Sequence, residues 1–219
     1  QGIQIIMILI DYWIFFPYLQ NLQIRLRLPG ACFLCFAPHF RMPADLLLPT
    51  VPWTLRPLTP ADVDDVMRIQ AQTYGAPFQE DKAVFARRLA ARHQCSLGVQ
   101  RTTDASLLAY AAAYWSAPGH ITPLNGDFEL PIAGPSSLYL HDISVLPALA
   151  GQKVAHALVV HLIELARSRH MTSMGLVAVQ GSARFWQRYG FAEHKITDPT
   201  QRQHLASYGA GEHYMVRRL

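Results

Sequence analysis

From Trp53 onward, hydrophobic and polar positions follow strand-like and helix-like patterns. Val63, Val66 and Ile69 recur at helical spacing, and Pro60 behind Thr59 marks the start of that helix. The chain is therefore predicted to alternate short strands with helices. The predicted strands are Trp53–Pro57, Ser96–Arg101, Leu107–Trp115, Leu138–Val145, Met174–Gln180 and Glu212–Leu219, and the predicted helices after the first are Gln79–Arg92, Gly151–Arg169 and Ser182–Tyr189.

The order of these elements predicts the fold class. Strand, two helices, three strands, helix, strand, helix and strand is typical of an α/β protein with a mixed sheet and helices on both faces. A four-residue turn, Thr102–Ala105, joins the second and third strands as a hairpin. Residues 116–136 contain four prolines and three glycines and are expected to form a long loop, a type of segment that is often functional.

The first 41 residues do not fit this pattern. Residues 2–28 are rich in Ile, Phe and Tyr but have no regular period, and a membrane helix would place Asp11 in its middle at a cost of ~2.5–3.5 kcal/mol. We expect residues 1–41 to be an over-extended or non-native segment, 42–52 a leader that starts at Met42, and 53–219 the domain. A membrane anchor in residues 2–28 is the alternative.

Composition narrows the function classes. The chain has 219 residues, of which 51% are hydrophobic and 16% charged, as expected for one globular domain. The net charge is +4, but the basic residues are scattered, which argues against a nucleic-acid partner. Cys32 and Cys35 have no second Cys or His pair at metal spacing, so we expect no metal and a cytoplasmic protein.

One loop has the chemistry of an anion site. The strand Leu138–Val145 continues through Leu146 and Pro147 into the loop 148–153, which opens the longest predicted helix. The first four N–H groups of a helix have no partner within the helix, and its dipole adds partial positive charge at that end. The sequence therefore predicts an anion-binding turn between this strand and this helix.

This region resembles the acyl-CoA pyrophosphate loop of the GNAT N-acetyltransferase superfamily, in the run VLPALAGQKVAHALV. A second resemblance lies downstream in VAVQGSARFWQRYGF, which is similar to the family's second acyl-CoA element. The segments LYLHD and VAVQGS and the tail SYGAGEHYMVRRL look like those of a bacterial subgroup of the family. Together these resemblances extend from about Thr54 to Leu219.

The resemblance implies a mostly antiparallel sheet with two splayed central strands, and acetyl-CoA as the donor of an acetyl group to an amine of a small molecule or peptide. It places pantetheine contacts at Ile143, Ser144 and Val145. It places the phosphates over Ala150, Gly151, Gln152, Lys153, Val154 and Ala155, with Phe185 and Tyr189 as the far wall. Plain core packing is an equal alternative for Phe185.

Catalytic residues follow from the same strand. His141 and Asp142 are neighbours, so strand alternation allows only one to face the cleft. Asp142 is predicted to be the base, because Leu138, Leu140 and Asp142 would share a face with Ser144; a carboxylate tied to backbone amides is the alternative. The family's usual tyrosine acid is replaced by Trp186 here, so Tyr208 is predicted to be the acid, with Tyr74 as the second candidate.

The acceptor pocket is predicted at Tyr74, Trp115, His141 and Gln180, although capping a strand end is the safer interpretation of Gln180. No membrane partner is expected, and a homodimer is one option for assembly. Ala150 and Lys153 depart from the family's phosphate-loop pattern. These departures favour an alternative function, a non-catalytic protein of the same fold that binds acyl-CoA or an amine.

Overall fold

The structure is a computed structural model that describes residues 51–219. The predictions for residues 1–41, for the first part of the leader and for Cys32 and Cys35 lie outside the described residues. The described chain forms seven strands and five α-helices, joined by short 3-10 turns. They are β1 (Trp53–Pro57), α1 (Val63–Thr73), α2 (Lys82–Ala90), β2 (Leu97–Arg101), β3 (Leu107–Ser116), β4 (Ser137–Val145), α3 (Val154–Ser168), β5 (Ser173–Ala178), α4 (Ala183–Gln187), β6 (Ala192–Glu193), α5 (Pro199–Ala206) and β7 (His213–Arg218).

Two of these elements were missed by the sequence patterns. The strand β6 has only two residues, too few to show a period. The helix α5 begins with a standard signal, because the Asp198 side chain caps it by accepting a hydrogen bond from the Gln201 N–H (2.9 Å) and Pro199 occupies its first position. The helix α2 is also shorter than predicted and starts at Lys82 rather than at Gln79.

The seven strands form one sheet in the order β1-β2-β3-β4-β5-β7-β6. Every pair in it is antiparallel except β4 with β5. That parallel pair extends only over Ser137–Tyr139 and Ser173–Gly175, so the two strands separate beyond these residues. The mixed, mostly antiparallel sheet with splayed central strands is therefore confirmed.

Strand β4 contains a bulge at His141. In its ladder with β3, Asp142 lies opposite Ala112, and Leu140 lies opposite Ala113, so His141 has no residue opposite it. Directly opposite residues share a face, and adjacent residues of a strand point to opposite faces. Asp142 and Leu140 therefore face opposite sides of the sheet.

The predicted common face of Leu138, Leu140, Asp142 and Ser144 is thus wrong. The extra residue shifts the alternation by one position, as β-bulges do, so Asp142 and Ser144 leave the face of the two leucines. The prediction that only one of His141 and Asp142 can face the cleft is wrong for the same reason. Both residues line the cleft described below.

Helices cover both faces of the sheet. On one face, Phe85 of α2 packs edge-on against Tyr110 of β3, with ring centroids 6.0 Å apart. On the other face, Leu165 of α3 lies beside Trp115 of β3. Within residues 51–219, none of the helices combines the length and the apolar character needed to cross a membrane.

Candidate active site

The cleft lies where β4 and β5 part. Its walls are residues 140–143 of β4, the apolar residues Leu176, Val177 and Val179 of the β5 segment, and Phe185 and Trp186 of α4, with Ser182 at the start of α4 and Tyr74 entering from the end of α1. Because the two strands no longer pair here, a bound molecule can reach the edge of β4 that β5 would otherwise cover.

The last part of β4 is paired on one side only. Ile143, Ser144 and Val145 pair with β3, and β5 has already separated from their other edge. The Tyr74 hydroxyl lies 3.3 Å from the Ile143 carbonyl, and the Thr73 hydroxyl donates to the Ser144 hydroxyl at 3.1 Å. The backbone groups on this edge of β4 are therefore not paired with β5.

The loop between β4 and α3 is a tight turn with two left-handed residues. Gly151 has φ 75° and Lys153 has φ 55°, and Lys153, which is exposed, is the N-cap of α3. The Gln152 side chain braces the loop by accepting a hydrogen bond from the Val51 N–H at 3.1 Å. The next residues, Val154 and Ala155, begin the helix, whose first amide groups have no carbonyl in a preceding turn.

Asp142 accepts hydrogen bonds from two tyrosine hydroxyls. Tyr74 donates to Oδ1 at 2.6 Å, and Tyr110 donates to Oδ2. The backbone amides of the alternative interpretation are not its partners. Burial raises the pKa of the Asp142 carboxyl above its ordinary value, while the hydrogen bonds from Tyr110 and Tyr74 oppose the rise. A carboxylate with a raised pKa in a cleft is a stronger proton acceptor than one in water.

A buried charged network supports the cleft from behind. Glu80 Oε1 lies 2.8 Å from Arg88 Nη2, and Glu80 Oε2 lies 2.9 Å from His141 Nε2. The side chains of the Glu80–Arg88 pair are 2% and 0% exposed, so this ion pair is shielded from solvent. Burial raises the pKa of the Glu80 carboxyl, but its interactions with His141 and Arg88 outweigh burial and lower it to about 2. Glu80 is therefore ionised and holds the His141 ring in place.

Sequence reasoning missed Glu80, Arg88 and Tyr110. Glu80 and Arg88 are eight residues apart and contact His141, which is 53 residues beyond Arg88, so no local spacing connects them. A charged residue on the apolar side of a helix was the available signal. Arg88 follows Val84 by four residues and precedes Leu89, among the residues of α2 that are buried.

Tyr208 is connected to the cleft only through His141. Its hydroxyl donates to the Thr122 carbonyl at 2.6 Å and lies 3.0 Å from His141 Nδ1 and 3.3 Å from the Tyr139 hydroxyl. The side chain is buried behind β4, and Tyr208 is not one of the residues that line the cleft. Burial raises the pKa of the Tyr208 hydroxyl well above its ordinary value.

The aromatic residues of α4 form one side of the cleft. Phe185 packs edge-on against Trp186 (centroids 4.8 Å apart) and against Tyr189 (5.1 Å). Trp186 Nε1 donates to the Ser182 hydroxyl at 3.2 Å, so the indole is oriented by its own helix. Tyr189 lies two residues beyond α4, and its hydroxyl is 3.1 Å from His156 Nδ1 on α3, so this segment contacts α3.

Two predicted acceptor-pocket residues lie elsewhere. Trp115 belongs to a groove on the α3 face of the sheet. Gln180 is exposed in the left-handed conformation (φ 53°) just after β5, and it does not line the cleft. Of the predicted residues, the cleft brings together Tyr74, His141 and Asp142, with Ile143 and Phe185 beside them. No group of three His, Cys, Asp or Glu residues in the described part of the chain could hold a metal ion.

The sheet opens between β4 and β5, and a tight turn leads from β4 into α3, as the family resemblance implies. Residues 63–191 match the model of the Acetyltransferase (GNAT) family. The chain therefore belongs to this family. No curated protein matches the chain in sequence.

Solved structures share this fold at low sequence identity. The ribosomal-protein-S18-alanine N-acetyltransferase from Escherichia coli is 16% identical, with a TM-score of 0.54 over 76% of this chain and 93% of that one. Rv2747 from Mycobacterium tuberculosis, in complex with CoA and NLQ, is 15% identical with a TM-score of 0.55 over 76% and 99%. The PaiA N-acetyltransferase from Thermoplasma acidophilum, in complex with coenzyme A, is 13% identical with a TM-score of 0.52 over 77% and 99%.

Proposed function

We propose that the protein is an N-acetyltransferase that moves the acetyl group of acetyl-CoA to a primary amine of a small molecule or peptide. The observation that carries this proposal is the parting of β4 and β5 after Tyr139 and Gly175, with the Asp142 carboxylate facing the gap. A thioester laid along the free edge of β4 would meet an amine held near this carboxylate. Membership of the GNAT family supports an acetyl transfer.

The donor site is proposed along β4 and at the start of α3. The edge Ile143–Val145 would hold the pantetheine arm, and the turn 150–155 would hold the pyrophosphate at a helix N-terminus, where amide groups and the dipole favour anions. Two structures with the same fold contain coenzyme A, which supports this class of donor. Lys153, exposed at the N-cap, is positioned to add a positive charge there.

The proposed reaction is direct attack. An ammonium group of the acceptor gives its proton to Asp142, directly or through a water, and the freed nitrogen forms a bond to the thioester carbonyl carbon. A backbone N–H near Val145 polarises the carbonyl oxygen. The carbon–sulfur bond then breaks, the attacking nitrogen gives up its second proton, and the departing thiolate takes up one proton, which leaves an amide and a free thiol. Alignment of the two reactants supplies much of the rate, ~7–11 kcal/mol in favourable cases.

Tyr208 is proposed to assist proton supply to the thiolate. Because only His141 of this hydrogen-bonded pair lines the cleft, Tyr208 would act through that ring. The raised pKa of Asp142 suits the base, since a carboxyl that binds a proton more strongly accepts one from an ammonium more readily.

The decisive experiment measures thiol release from acetyl-CoA with a panel of primary amines, and acetyl-CoA binding by calorimetry on the same preparation. Amine-dependent thiol release that is lost in Asp142→Asn supports the enzyme. Tight acetyl-CoA binding without thiol release for any amine would instead favour the non-catalytic alternative, for which the non-glycine residue at position 153 is the supporting observation. Failure to bind acetyl-CoA would contradict the enzyme and would leave only the alternative of a protein that binds an amine.

A further inference from the structure

A second concavity lies on the opposite side of the sheet from Asp142. It has a volume of about 450 Å³. One side, or bank, is formed by the end of β1 and the segment 92–97, and the other bank is formed by the second half of α3. Leu55, Trp115 and Leu165 contribute apolar surface to it. It shares no lining residue with the cleft between β4 and β5. We call this concavity the α3 groove.

The segment 92–97 is fixed in place by the sheet. The Trp115 N–H donates to the His93 carbonyl at 2.9 Å, and the Cys95 N–H donates to the Ala113 carbonyl at 2.8 Å. The Gln94 side chain donates to the Leu58 carbonyl at 3.2 Å. Because this bank is tied to β3 by backbone hydrogen bonds, the α3 groove is preformed, as small-molecule sites usually are.

The rim of the α3 groove is positively charged. Arg56, Arg92, His161 and Arg169 line it, and none of its lining residues is Asp or Glu. Arg56 is already neutralised by Asp62, with the two pairs of atoms 2.6 and 2.9 Å apart.

Arg92 and Arg169 keep their charge available. Within residues 51–219, Arg92 donates only from Nε, to His93 Nε2 at 3.1 Å, and the Arg169 side chain has no hydrogen bond or ion pair. One guanidinium therefore comes from each bank of the groove, Arg92 from the turn after α2 and Arg169 from the end of α3.

Cys95 and Arg169 line the groove from opposite sides. Burial raises the pKa of the Cys95 thiol, and the positive charge of Arg169 opposes the rise. Arg169 follows the end of α3, and Cys95 precedes β2, so the Arg169 guanidinium lies close to the opposite bank of the groove.

We propose that the α3 groove binds a small amphipathic anion, with a carboxylate or similar head between Arg92 and Arg169 and an apolar body against Trp115, Leu55 and Leu165. Guanidinium groups pair with planar oxyanions through two parallel hydrogen bonds and also stack on aromatic faces. The volume is that of a small-ligand pocket, for which ~300–1,000 Å³ is usual. A neutral apolar molecule would leave the two cations unpaired, and a small hydrophilic anion would leave the apolar surface uncovered.

The test titrates 4-phenylbutyrate and octanoate into the full chain by calorimetry, at low salt and in 0.5 M NaCl. The matched uncharged probe is 4-phenylbutyramide. The main variant is Arg92→Met/Arg169→Met, which keeps the aliphatic stems, and the control is Arg202→Met, which removes an exposed charge on α5. We expect saturable binding of at least one carboxylate, at least tenfold weaker in the double variant and at high salt, and unchanged in the control.

Several outcomes would overturn the proposal. They are no saturable binding of either carboxylate, equal affinity of the amide and the acid, or equal affinity of wild type and the double variant. Displacement of the probe by coenzyme A in wild type would place the probe in the other cleft and contradict it as well. A wild-type dimer that dissociates in the double variant, measured by light scattering, would show that the groove contacts a second copy of the chain. Arg169→Glu reverses one of the two charges and is an independent test of their role in binding the carboxylate. A thermal melt of each variant checks that it is folded.

Discussion

Lys153 allows backbone strain and side-chain charge to be separated experimentally. It caps α3 with φ 55° and ψ 26°, a left-handed conformation that glycine adopts readily and other residues do not. Its side chain is exposed, so it packs against little. Two substitutions divide its roles, because Lys153→Met removes the charge and keeps the strain, whereas Lys153→Gly removes both.

The expected change in stability follows from two opposing terms. A left-handed non-glycine residue costs ~1–2 kcal/mol, and glycine loses an additional ~0.5–1 kcal/mol of backbone entropy on folding. Lys153→Gly should therefore raise the free energy of unfolding by about 0.5–1 kcal/mol, or the Tm by about 1–4 °C for a domain of this size. Lys153→Met should change it by less than about 0.5 kcal/mol, as surface substitutions do.

The expected change in donor binding depends on the charge. A charge-assisted contact with the pyrophosphate is worth ~1.5–3 kcal/mol, and exposure reduces it to about 1 kcal/mol, or about fivefold in Kd. Lys153→Met should therefore bind acetyl-CoA about fivefold more weakly than wild type at low salt. The difference should almost disappear at 1 M salt, where the Debye length is ~3 Å.

The assay is calorimetric titration of acetyl-CoA at 0.05 and 1 M NaCl, with a thermal melt of each protein. Equal affinity of wild type and Lys153→Met at low salt would refute the contact with the phosphates and favour a non-catalytic protein. A Lys153→Gly protein that is less stable than wild type would refute the account of strain.

Four further predictions test the cleft and the network behind it. Asp142→Asn should lower kcat/KM for a protonated amine by ~10²–10⁴ with unchanged acetyl-CoA affinity, and a near-normal rate at pH 7 would exclude Asp142 as the base. Tyr208→Phe should slow turnover with both substrates still bound, and unchanged turnover would leave water as the proton source. Arg88→Met should lower the free energy of unfolding in urea by about 3–5 kcal/mol, because it removes the guanidinium that is paired with the buried Glu80 carboxylate, and a loss below 1 kcal/mol would contradict this. The pKa of Glu80 falls from 4.5 to about 2 on folding, so Glu80 contributes about 3 kcal/mol to the free energy of unfolding. This contribution is complete above pH 4.5 and is lost as the pH falls toward 2. In a pH series of urea melts, Glu80→Gln should therefore show a flatter dependence of stability on pH than wild type.

The sequence by itself determined the elements that local signals encode. Helical spacing located α1 and α3, Pro60 marked the start of the first helix, and the apolar run of β5 was recognisable because a central strand is buried on both faces. The family resemblance identified the opening between β4 and β5 and the turn around Lys153. All of these depend on residues that are close together in the chain.

Only the tertiary structure decided which side chains meet. The bulge at His141 exists because β4 has one more residue than β3 across the same hydrogen bonds, a relation between two strands that neither sequence segment shows. The bulge placed both His141 and Asp142 in the cleft, and it moved Leu140 to the other face. Long-range folding likewise joined Glu80 and Arg88 to His141, and it placed Arg92 and Arg169 on the two banks of the α3 groove. Contacts of this kind depend on the register and crossing of distant elements, which hydrophobic periodicity does not encode.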